Sequence, residues 1–149
     1  MYNASLHHSI FITGGAMISV SVIDLGFMFV ERINRADLQG LLDIMTDDHE
    51  LWIFGEFEGR GKEQMERAWK GYFDLCPEYM IHICEIYEKD DTAVMFGRTT
   101  GSHLNLPRKK EFIDEPVIWT AKVRDGLVSE WALHLSNDET RVKFGIPVK

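Results

Sequence analysis

Apolar and polar positions alternate with a period of two in a pair of runs near the C-terminus, joined by Arg124-Asp125-Gly126. In the first run Val117, Trp119, Ala121 and Val123 share one face, and Thr120 and Lys122 take the other. In the second, Leu127, Trp131, Leu133 and Leu135 share a face with Ser129, while Glu130 and His134 point away. Alternation around an Asp-Gly turn predicts a β-hairpin. Upstream the period changes. Val22, Leu25, Phe29 and Ile33 recur at helical spacing and predict a helix from about Ser21 to Asn34. Asp37 reads as the N-cap of a shorter helix striped by Leu38, Leu41, Leu42 and Met45, which Thr46-Asp47-Asp48 ends. Leu51 to Phe57 predicts a strand. A turn over Gly59 to Gly61 then leads into a third helix, where Met65, Ala68, Trp69 and Tyr72 line one face until Pro77. Tyr79 to Tyr87 and Thr92 to Thr100 predict two more strands, joined by Glu88-Lys89-Asp90-Asp91, and a hairpin from Phe112 to Leu135 completes the set. Helices first and strands afterwards predict an α+β fold with a curved, mainly antiparallel sheet.

Ile10 to Val30 is the longest apolar tract, but it carries Asp24 inside and has no basic flank, so a membrane span is not expected. It splits into an N-terminal leader over residues 1–20, loose up to about Met17, and the first helix. Residues 21–149 form one domain. Asn3-Ala4-Ser5 matches a glycosylation sequon that carries no weight without a signal peptide. A chain of 149 residues suits a single core. A net charge of -8 argues against a nucleic-acid surface, and Arg108-Lys109-Lys110, the one basic cluster, reads as a solvated loop. Cys76 and Cys84 suit two buried thiols in a reducing compartment, and the expected location is the cytoplasm. His82 and Cys84 share a strand face, but no second ligand pair accompanies them; neither a metal site nor a cofactor is expected.

The stretch Arg32-Ile-Asn-Arg-Ala-Asp-Leu-Gln-Gly-Leu-Leu-Asp-Ile-Met-Thr-Asp-Asp48 resembles the steroid delta-isomerases. Gly61-Lys-Glu-Gln-Met65, Thr100-Gly-Ser-His103 and Arg124-Asp-Gly126 resemble SnoaL-like polyketide cyclases. Together, over roughly Ile23 to Asn137, the chain resembles the nuclear transport factor 2-like superfamily. That resemblance implies a sheet wrapped around the N-terminal helices to make a cone with a pocket. Fold alone leaves the activity open. Matching the isomerases puts Phe29 at the tyrosine donor, Ile53 at the base and Trp119 at the acid donor. The acid-base pair of the cyclases falls on Trp119 and Leu133. The triad of epoxide hydrolases falls on Val94, Thr92 and Leu133. None of these side chains carries the charge or catalytic proton those reactions require.

Two groups remain for chemistry. Arg98, in phase with Val94 and Phe96, binds a carboxylate or phosphate if that face lines the pocket, and forms a salt bridge at an edge or interface if it does not. His103 is a candidate general base, or else fixes the strand end. Phe29, Trp69, Phe96, Trp119, Trp131 and Leu133 either line a cavity for an apolar ligand or fill the cone. Three readings follow: a binder of a small apolar molecule, a cofactor-free isomerase, cyclase or hydrolase using His103 and Arg98, and a homodimer paired through the face bearing Glu130 and His134. His49 reads as structural or exposed.

Overall fold

The computed structural model describes residues 9–13, 16–103 and 116–148, with side chains described from residue 20 onward. The basic cluster, the sequon and the start of the expected hairpin at Phe112 lie outside the described residues. Strands β1 (Ser9–Thr13) and β2 (Ala16–Val20), within the leader segment, pair antiparallel as a sheet of their own. Helix α1 (Val22–Asn34) starts at Ser21, whose hydroxyl accepts from the Asp24 amide at 3.1 Å while the Asp24 carboxylate accepts from the Ser21 amide. This reciprocal box satisfies two otherwise orphaned donors. Val22, Leu25, Phe29, Val30 and Ile33 form its buried stripe. Gly26 lets the helix touch the sheet: a Cβ there would lie 2.8 Å from that of Ala93. At its far end Asn34 acts as a substitute strand, donating to the Ile81 carbonyl at 3.0 Å and accepting from the Ile81 amide at 2.7 Å.

Helix α2 (Leu38–Asp43) is capped by Asp37. It ends earlier than its apolar pattern suggests, because strand β3 (Met45–Ile53) already begins at Met45. The expected strand from Leu51 to Phe57 is in fact a hairpin of β3 and β4 (Glu56–Arg60), turning at Phe54-Gly55. Helix α3 (Lys62–Leu75) buries Met65 and Trp69. Strands β5 (Met80–Lys89), β6 (Thr92–Thr100), β7 (Val117–Arg124) and β8 (Leu127–Leu135) follow, and a helix not expected from the pattern, α4 (Asp138–Lys143), closes the chain.

The six-stranded sheet runs β4-β3-β8-β7-β6-β5, antiparallel except for the β3–β8 pair. Register shifts that leave an extra residue in β4, β5 and β8 add curvature to a sheet that wraps α1 and α3. The shift in β8 leaves Ser129 without a partner between Lys122–Glu130 and Val123–Val128, so Val128 joins the core in place of the expected Leu127. Val117, Trp119, Ala121 and Val123 face the helices, as their alternation indicates. The outer face holds a second cluster in which Val94 and Ile118 pack with Ile146, Tyr87, Phe96 and Phe144. Arg141 of α4 lies 4.6 Å above the Phe96 ring and donates to the Pro147 carbonyl. Cys76 is buried, but Cys84 is exposed, correcting the expectation of two buried thiols. Among the described residues no helix is long and apolar enough to cross a membrane.

Candidate functional site

A cavity of about 840 Å3 opens between α3 and the inner face of the sheet. Its floor comes from the alternation of β3, β7 and β8, which brings Leu51, Ile53, Val117, Trp131 and Leu133 to one side. Trp69 walls it from α3, and Phe54 and Leu135 stand exposed at the rim. Polar groups gather at the β6 end. Tyr72 of α3 lies with its hydroxyl 2.9 Å from Nδ1 of His103, and the His103 amide donates to the same oxygen at 3.4 Å. Tyr79 packs edge-on to Tyr72 at 4.9 Å, and Thr99 and Ser102 are buried beside them. Three strand spacings separate β3 from β6, so the apolar and polar ends lie roughly 14 Å apart along the sheet. Glu58 of β4 is the one carboxylate among the described lining residues.

The residues singled out from the sequence separate into three places. His103, Trp69, Trp131 and Leu133 line the cavity. Phe29 and Trp119 are fully buried in the core, where Phe29 stacks on Trp131 at 4.5 Å between ring centres. Phe96 and Arg98 do not face the cavity at all. On β6 the residues turned toward the helices are Ala93, Met95 and Thr99, so Val94, Phe96 and Arg98 occupy the opposite face. The phase was ambiguous because α4 and the tail cover the outer face, making β6 apolar on both sides. His103 and Arg98 therefore do not converge, and a site built on that pair is ruled out. The hydrolase match through Val94 and Thr92 fails on the same ground, and the inward Ala93 and Met95 are no more ionisable. Ile53 and Leu133, at the isomerase base and the cyclase acid, do line the cavity. Asp48 lies on the surface instead; Arg124 and then the Thr46 hydroxyl hold its carboxyl down to about 2.

Tyr72 was read only as part of an apolar helix stripe, and nothing in that stripe marks it as the partner of His103. His49 was also missed as a special residue. It is fully buried, stacked 5.7 Å from Phe29, with Nδ1 2.7 Å from the Val128 carbonyl. A carbonyl only accepts, so Nδ1 carries the proton and Nε2 is a bare acceptor with no partner among the described residues. Burial pushes this imidazole down to about 4. His134 lies on the outer face, against the Phe144 ring at 4.8 Å and 2.8 Å from the Thr120 hydroxyl. Burial, and then Lys143, hold it down to about 4.

A family model described as SnoaL-like domain matches residues 28–131. A search of curated proteins returns no match. Among solved structures, an uncharacterised cystatin-fold protein from Novosphingobium aromaticivorans superposes with a TM-score of 0.64 at 17% identity, covering 76% of this chain and 97% of its own. A nuclear transport factor 2-like protein of unknown function from Cytophaga hutchinsonii gives 0.61 at 8% identity, covering 78% and 91%. A SnoaL-like protein of unknown function from Burkholderia thailandensis gives 0.59 at 16% identity, covering 75% and 92%. At these identities the likeness is one of fold.

Proposed function

Because this chain belongs to the SnoaL-like domain family, within the nuclear transport factor 2-like superfamily, we propose that it binds an elongated, largely apolar small molecule in the cone. The observation that carries this reading is the cavity of about 840 Å3 with Ile53 and Leu133 in its floor, at positions where the resemblance to isomerases and cyclases implies ionisable groups. Apolar walls with a few polar groups, here Tyr72 and His103 at the β6 end and Glu58 on β4, are the usual make-up of a small-molecule site. The ligand's apolar body would lie along Trp131 and Leu133, with an oxygen-bearing end near Tyr72 and His103.

Titration with Nile red, a neutral apolar fluorophore, tests this directly. Saturable one-to-one binding is expected, and Leu133→Asp should weaken it at least about tenfold by placing a carboxylate in the apolar floor. Emission that rises without saturation, unchanged in the variant, would sink the reading.

The Tyr72–His103 hydrogen bond inside the cavity favours a second reading, in which His103 accepts a proton from a C–H next to a ligand carbonyl and Tyr72 fixes its ring. Deuterium uptake from heavy water into 2-dodecanone, followed by mass spectrometry, is the measurement. His103→Asn should lower the catalysed rate about a hundredfold. Uptake no faster than in buffer would leave binding alone.

A further inference from the structure

Three two-residue turns close hairpins of the six-stranded sheet, and all three have positive φ at both central positions. That is the type I′ geometry, whose twist matches paired strands and whose central residues are normally Asn, Asp or Gly. Two of the turns obey the preference: Asp90-Asp91, with φ of 49° and 61°, and Asp125-Gly126, with 55° and 77°. The third is Phe54-Gly55, with φ of 51° and 84°. A bulky ring in the left-handed region is a strained exception. The strain is not offset by burial, since Phe54 is 42% exposed. Its amide is committed, donating to the Leu133 carbonyl at 2.9 Å, so the backbone gains nothing from the phenyl ring. The ring does have one distinctive position: it lines the cavity mouth, next to Ile53 and on the rim shared with the still more exposed Leu135.

We infer that Phe54 is a ligand-contacting residue, kept at a turn position that disfavours it because its ring covers the apolar end of the occupant and completes the wall that Ile53 and Leu133 begin. The inference rests on the binding reading above and adds to it a specificity determinant: the site takes ligands whose far end is apolar and reaches the β3–β4 turn. A ligand confined to the polar end would not touch Phe54. The stability of the empty protein and its affinity are then opposed at this residue.

Phe54→Asn supplies the residue that the turn geometry prefers. In the empty protein its thermal midpoint should rise by about 2–4 °C, while the Nile red Kd should rise about fivefold through loss of the apolar contact. Phe57→Asn is the control: 52% exposed on the same hairpin but not on the cavity wall, it should leave the Kd unchanged. An unchanged Kd in Phe54→Asn overturns the inference, whatever happens to the midpoint. A lower midpoint overturns it too, because the ring would then be there for packing. A weakened Kd in the Phe57 variant equal to that in the Phe54 variant overturns it as well, by making the effect one of general surface apolarity. Failure of the unaltered protein to bind Nile red at all marks the separate failure of the binding reading.

Discussion

His49 shows how one side chain couples this fold to acidity. The folded chain holds its imidazole neutral, because protonating Nε2 would bury a charge with no acceptor among the described residues to receive the hydrogen. With a folded value of about 4 against an ordinary 6.5, the group favours folding fully above pH 6.5 and loses that contribution as pH falls toward 4. Between pH 7.5 and 5 the loss is about 2 kcal/mol. Urea midpoints at the two pH values should reveal it; because His134, also held down to about 4, titrates over the same range, His49→Asn, whose amide still donates to Val128, should reduce the difference without abolishing it. An equal pH dependence in the variant would assign the effect elsewhere. At this scale the sequence was only partly readable. Trp131 and Leu133 could be placed in the wall from alternation alone, whereas a buried histidine and a hydroxyl on an apolar helix stripe carry no local mark.

The elements explain which errors arise. Asp125-Gly126 announced its turn, but Phe54-Gly55 did not, since a phenylalanine in that position looks like the continuation of a strand; one apparent strand was therefore two. Strand β6 misled for a different reason: apolar on both faces, it offers no phase. Helix α4 did carry a signal, with Asn137 accepting from the Thr140 amide at 2.8 Å, acids in the first turn and bases in the last, but six residues are too few for a periodic stripe. Helix α1 was plain from its spacing, and its start can be tested. Ser21→Ala removes the reciprocal cap and should cost about 1 kcal/mol in a urea unfolding curve. No change would mean that packing against the sheet alone sets where the helix begins.

For the whole molecule, pattern sufficed for the α+β cone but not for what the cone contains, because that depends on which of two apolar faces turns inward. A preformed cavity predicts coupling between occupancy and stability: Nile red at ten times its Kd should add about 1.4 kcal/mol to unfolding and raise the thermal midpoint by about 3–6 °C. A bound dye without such a shift would place its contacts outside the folded core.

Two of the four tryptophans, Trp69 and Trp131, form part of the cavity wall, whereas Trp119 is sealed in the core and Trp52 sits on the β3–β4 hairpin, bonded to Glu50. The protein thus has a built-in optical probe: an occupant should alter the ultraviolet emission of the wall indoles, so unlabelled compounds can be screened by eye of the spectrometer without attaching a dye.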